Sequence, residues 1–146
     1  MLPSHAPLFQ VPDALAAVIV AGVLILLFSL LREPVRQQFM AIFVSGAGGA
    51  YLSGGLGIWE FAFATVMLYV GYRGLRSYNF IGVGWLLHTA WDAVHHFYGN
   101  PIVPFVPTSS GQCAICDSLL ALWFFNGAPS AYTYLREKLR LGKTSL

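Results

Sequence analysis

Every Lys and Arg in this chain stands at one of three stations: Arg32 and Arg36, then Arg73 and Arg76, then Arg136, Lys138, Arg140 and Lys143. Around those stations run five apolar segments, at about 12–31, 37–53, 58–75, 79–98 and 113–135. The basic residues therefore occupy the first-to-second and third-to-fourth connections and the tail, and the other connections have none. A bilayer core needs about 20 apolar residues per helix, and Lys and Arg are retained on the cytoplasmic side. The alternation predicts an all-α polytopic membrane bundle of five transmembrane helices, N-terminus out and C-terminus in. Four or six spans would break the segregation.

Composition points the same way. The 146 residues are 57% hydrophobic and 10% charged, with a mean hydropathy of +0.66, whereas soluble domains carry about 25% charged residues. The length suits one integral membrane domain, residues 1–146. A net charge of +2 without a basic, aromatic-interleaved patch argues against nucleic acid. No Lys or Arg precedes the first apolar run, and Arg32 and Arg36 follow it. A cleavable signal peptide has the opposite order, so this run is expected to be a retained first helix.

Several local features refine the picture. Ser45-Gly-Ala-Gly-Gly49 has the small-xxx-small spacing that lets membrane helices approach closely, so its glycines are all expected to face a neighbouring helix. The loop from Gly99 to Gln112 holds three prolines and no charge, and its stiffness suits a lid. Asn126-Gly127-Ala128-Pro129 is expected to kink the fifth helix.

Three of the four histidines and an aspartate fall within nine positions of the fourth segment: His88, Asp92, His95 and His96. At about 100° per residue, His88, Asp92 and His95 share one face, and His96 widens the arc. Ionisable groups in a membrane helix are costly and point into the protein. The predicted topology sets His95 and His96 near the outer end, level with Glu60, Cys113, Cys116 and Asp117 from the third and fifth helices. The expectation is one outward-facing pocket. Nothing comparable lies in the inner halves, which argues against an ion or proton conduit.

His88, Asp92, His95 and His96 offer the nitrogen and oxygen donors of a metal site, with zinc or another transition metal as the ion. Glu60 and Asp117 are then the candidate catalytic carboxylates, able to take a proton from metal-bound water. Cys113 and Cys116, spaced Cys-x-x-Cys at the start of a helix, are either further ligands or a redox pair favoured by the helix dipole. The competing reading is a hydrogen-bonded structural network. Trp91 is a possible wall of the pocket, and the other aromatics suit interface belts and packing.

Two function classes follow. One is a membrane-embedded hydrolase or oxidoreductase acting on a lipid-like or small hydrophobic substrate. The other is a non-catalytic membrane module that binds a metal, haem or a partner helix, or a thiol–disulfide oxidoreductase built on Cys113 and Cys116. Membrane lipid is the expected surrounding, and a homo-oligomer is compatible with either.

The run His88-Thr-Ala-Trp-Asp92-Ala-Val-His95-His96, the Pro-rich loop and Cys113-x-x-Cys116-Asp117 resemble a family of small bacterial integral membrane proteins of unknown function. The resemblance covers nearly the whole chain and implies a bacterial cytoplasmic-membrane location, with no activity attached. The Cys-x-x-Cys is similar to that of membrane thiol oxidoreductases related to vitamin K epoxide reductase, whose second cysteine pair this chain lacks. Alkaline ceramidase-like hydrolases offer an analogy, an outward zinc site built from His and Asp on helices, with more helices and separated motifs.

Overall fold

The computed structural model describes residues 8–134, 136 and 138. Arg140, Lys143 and the segment before Leu8 lie outside the described residues. Five helices are formed: α1 (Val11–Phe28), α2 (Val35–Ala47), α3 (Ile58–Gly74), α4 (Tyr78–Tyr98) and α5 (Ser109–Phe125). A further helical segment begins at residue 131. No strand occurs among the described residues, so the chain is all-helical. Helices of 13 to 21 residues are roughly 20–32 Å long at 1.5 Å per residue.

The helix boundaries have local causes. Pro12 sits in the first turn of α1, where its missing N–H is harmless. Asp13 Oδ2 accepts the Gln10 N–H at 2.9 Å and closes that turn. α2 ends at Ala47 because Gly48-Gly49 follows, and residues 48–53 form turns. The second segment is therefore shorter as a helix than 37–53. α5 gains a turn before Cys113 and stops at Phe125, where Gly127 takes φ 79° and donates to Phe124 O at 2.9 Å. The expected kink at Asn126–Pro129 is thus a helix terminus.

α4 is the central element and packs on α2, α3 and α5, whereas α1 leans on α5. Along α4 the buried residues Ile81, Trp85, His88, Asp92 and His95 recur at intervals of four and three. That is the seam of a left-handed helix packing, and the polar stripe is its continuation.

Contacts at the helix ends fix the directions. At one end Asp13 of α1 accepts from Thr108 at 2.9 Å and from Gln112 at 2.7 Å. At the other, Ser29 Oγ accepts the Ala131 N–H at 3.1 Å. Arg36 pairs with Glu33 and reaches Tyr78 at that second end, and Arg73 lies over the Phe80 ring at 4.5 Å. The helices therefore alternate up and down, and the described basic residues gather at the second end. We call this the basic end and the opposite one the site end.

Close approach comes from glycines on α3 more than on α2. A Cβ on Gly71 would lie 1.7 Å from Ser45 Oγ and 2.7 Å from the Ala41 carbonyl. Gly48 is held against Met67, but Gly46 faces open space and Gly49 only its own chain. The expectation that the glycines of the second segment all face a neighbouring helix is corrected: Gly48 alone does so. Outward, α1 buries just Ala17 and Ala21 and leaves Val11, Leu15, Ile19 and Leu27 more than half exposed. Among the described residues α1 is the one helix long and apolar enough to cross a membrane by length and composition.

Candidate metal centre

The seam of α4 carries two polar clusters, one above the other. The deeper one joins three helices. His88 Nε2 lies 2.9 Å from the Ala47 carbonyl at the end of α2. A carbonyl only accepts, so Nε2 carries the hydrogen. Nδ1 then faces Asp117 Oδ2 of α5 at 2.7 Å and Asp92 Oδ2 at 3.2 Å. In the neutral ring Nδ1 has a bare lone pair, so three acceptor atoms converge on one point. Donor atoms of His88, Asp92 and Asp117 all lie within 4.8 Å of one another, a group able to hold a metal ion, and all three residues are buried.

Such a set is neutralised by protons or by a cation. Two buried carboxylates without a counter-charge are strongly unfavourable. A proton on His88 supplies one unit, and a divalent ion supplies two and uses all three lone pairs. The Nε2–H bond to a backbone carbonyl is also the usual support of a metal-binding histidine, fixing tautomer and ring orientation. Asp92 has similar support, since Tyr51 Oη donates to its Oδ1 at 2.7 Å.

The upper cluster is a separate pair. His95 Nδ1 donates to the Trp91 carbonyl at 3.0 Å, and Nε2 faces Glu60 Oε1 at 3.0 Å. Glu60 also accepts the Leu56 N–H at 3.1 Å and the Trp91 indole N–H at 3.2 Å. Three contacts thus hold the Glu60 carboxylate, and no third metal-ligating residue joins the pair among the described residues. Backbone seals it: a Cβ on Gly54 would meet His95 Nε2 at 2.5 Å, and one on Gly99 would meet His95 Cδ2 at 2.6 Å. The Asn100 N–H donates to Gly54 O at 2.8 Å and locks these two turns together.

Tyr51 links the clusters. Its ring stacks on His95 with centroids 3.8 Å apart, while its hydroxyl holds Asp92. Sequence reasoning missed it, because Tyr51 lies in turns beyond α2, where helical periodicity gives no phase.

The outward pocket expected from eight residues is thus divided. Asp117 joins His88 and Asp92, and His95 joins Glu60. His96 joins neither: it is half-buried beside Phe9, and its Nδ1 has no partner among the described residues. Trp91 belongs to the upper pair and stacks on Phe63 at 4.6 Å. Cys113 and Cys116 are free thiols. Cys113 is the fifth residue of α5, beyond the first turn where the helix dipole acts. Cys113 and Cys116 therefore stand beyond the reach of the dipole expected to favour a redox pair at a helix start.

Beside the deeper cluster lies a cavity of about 300 Å³. Asp117 and His88 form one wall, with Cys113 and Cys116 next to them, and much of the rest is apolar. Ile102 and Val103 of the Pro-rich loop complete the lining. Their N–H groups donate to Ser110 Oγ and Ser109 Oγ at 3.2 Å and 3.0 Å, so the loop does fold back over the bundle. Asp117 Oδ1 receives no hydrogen bond from the described residues.

Residues 12–130 match the sequence model of a family described as one of unknown function, DUF6010. No curated protein and no solved structure matches the chain.

Proposed function

We propose that this chain, which belongs to the DUF6010 family of unknown function, is a membrane-embedded, metal-dependent hydrolase of a small carbonyl compound. The observation that carries the reading is the convergence of His88 Nδ1, Asp92 Oδ2 and Asp117 Oδ2, three acceptors with no protein donor of their own beyond the histidine. Three protein ligands with an open side match the pattern of a catalytic zinc site, and zinc accepts both nitrogen and carboxylate donors.

When bound, the ion supplies an acidified water and polarises a carbonyl oxygen. The chain's own groups do the rest. Asp117, on the cavity wall, would take a proton from that water as its oxygen bonds to the carbonyl carbon. The bond from that carbon to its leaving oxygen or nitrogen breaks, and Asp117 returns the proton to the leaving group. Ala47 and Tyr51 hold His88 and Asp92 in place. Glu60, held by His95, Trp91 and Leu56, acts as a structural carboxylate.

The membrane placement rests on the outer surface. Large apolar side chains are exposed along α1 and α3, including Ile19 at 65% and Leu68 at 60%. Soluble monomers seldom expose contiguous apolar patches beyond a few hundred Å². Five spans, with the basic end in the cytoplasm and the metal centre toward the outside, accommodate that surface and the basic residues together.

The test is hydrolysis of short-chain acyl esters and amides by the full chain in lipid, after chelation and after reloading with zinc. The reading expects turnover that chelation abolishes and zinc restores. Bound metal without turnover on any of these compounds would leave a non-catalytic metal-binding membrane module.

A further inference from the structure

The cavity has a direction. α1 and α5 run side by side with their first turns at the site end, as the Asp13 bonds to Thr108 and Gln112 require. Lining residues can therefore be ordered by depth. Ser109 and Gln112 lie at the site end, the middle level holds Asp117 and His88, and Leu24, Trp85 and Leu120 lie toward the basic end. From Asp117 to Leu120, and from His88 to Trp85, the step is three residues, or about 4.5 Å along each helix. Gln112 and Ser109 stand at the site end beside the apolar Ile102 and Val103, the metal centre lies midway, and hydrocarbon and indole form the floor.

The cavity also has a side. Phe28 of α1 packs on Phe39 and Phe43 of α2 with centroids 5.9 Å and 5.6 Å apart, which closes the basic end of the gap between those helices. Toward the site end α1 leans on α5. Val20, midway along α1, lines the cavity and is 50% exposed. Of the α1 residues on the cavity, Ala17 is buried and Leu24 half-buried, so Val20 is the accessible one.

We infer that the cavity takes a single-chain acyl amphiphile. Its short alkyl chain lies toward Trp85, Leu24 and Leu120, its carbonyl lies at His88 and Asp117, and its polar head lies at Gln112 and Ser109. This rests on the reading of the His88 cluster as a metal-dependent acyl-hydrolysis site, and it adds the substrate class and the orientation. A volume near 300 Å³ is at the small end of ligand sites and excludes a two-chain lipid. Entry is from the bilayer, past Val20.

The test uses the full chain in lipid nanodiscs and two sets of probes, straight-chain hydroxamic acids of two to eight carbons and the matching primary alcohols. A hydroxamate binds a metal, and an alcohol reports the alkyl chain alone. Affinity measured by calorimetry should rise by up to about fourfold per buried methylene, as about 0.8 kcal/mol each implies. It should stop rising once the floor is reached. Leu24→Phe and Leu24→Trp should move that plateau to progressively shorter chains, with metal content read on the same samples. Affinity independent of chain length, or a plateau that neither variant moves, overturns the inference even where metal is bound. A chain-length series kept by the alcohols in a protein that holds no metal sustains the cavity assignment and removes the metal reading.

Discussion

His88 Nδ1 lies 2.7 Å from Asp117 Oδ2, a contact between residues 29 apart that ties α4 to α5 at the centre of the bundle. The same nitrogen faces Asp92 at 3.2 Å, and the opposite ring nitrogen is fixed by the Ala47 carbonyl. One imidazole therefore connects three helices. Its chemistry and the packing of the bundle cannot be altered separately.

Tyr51→Phe removes the hydroxyl that donates to Asp92 Oδ1 and keeps the ring stacked on His95. Supporting residues of this kind typically contribute 10- to 100-fold in metal affinity. We expect zinc affinity to fall by about that factor in a competition titration against a chromogenic chelator, and stability to fall by about 1–3 kcal/mol for the buried oxygen left unpaired. Equal affinity in the variant and the parent would remove Tyr51 from the metal centre.

Glu60→Ala breaks the upper pair. It leaves His95 Nε2 buried beside an empty site, and loss of one member of a buried pair costs about 3–5 kcal/mol. Thermal unfolding in detergent should show a large drop, while bound metal per folded chain stays as in the parent. His96→Ala should change neither quantity. Loss of metal in Glu60→Ala protein that remains folded would make Glu60 a ligand after all.

Much of this arrangement can be read from the residues, and the limits are physical. The spacing of His88, Asp92 and His95 continues that of Ile81 and Trp85, so the helix phase identifies the seam. It also leaves His96 off it, about 100° round the helix. Phase alone does not say which carboxylate on another helix meets which histidine. That depends on the relative heights of α3 and α5, and these are set by Gly54, Gly99 and the two serines that begin α5. The small residues near 45–49 were legible as a packing site, but the closest approach is made by Gly71 on the partner helix. A glycine-rich run shows where a backbone can be approached and not which backbone approaches it.

Gly71→Ala tests that approach. The added methyl would lie 2.7 Å from the Ala41 carbonyl, and backbone on a packed helix cannot easily retreat. Overpacking of this kind costs about 1–3 kcal/mol. Gly46→Ala, with nothing within 4 Å of the new Cβ, should be neutral or stabilising, since Gly is a poor helix former. Comparison of the two melting curves checks the α2–α3 interface, and equal effects would contradict it.

The proposed membrane topology is open to a direct check with reporters fused to the two ends of the chain. Five spans require opposite sides, with the C-terminal reporter in the cytoplasm. The same side for both would remove the five-span reading and, with it, the outward metal centre.

The central claim is that His88, Asp92 and Asp117 together hold a metal ion, and elemental analysis of the protein purified without chelator or metal-affinity steps tests it most directly. The account predicts about one transition metal per chain, zinc foremost, and its near-complete loss in His88→Ala and Asp117→Ala proteins that still fold. Cys113→Ser/Cys116→Ser protein should retain the ion, because the proposed ligand set contains no thiolate. Parent protein free of metal, and still free of it after dialysis against zinc, would contradict the account and leave His88 as a proton-bearing strut between two aspartates.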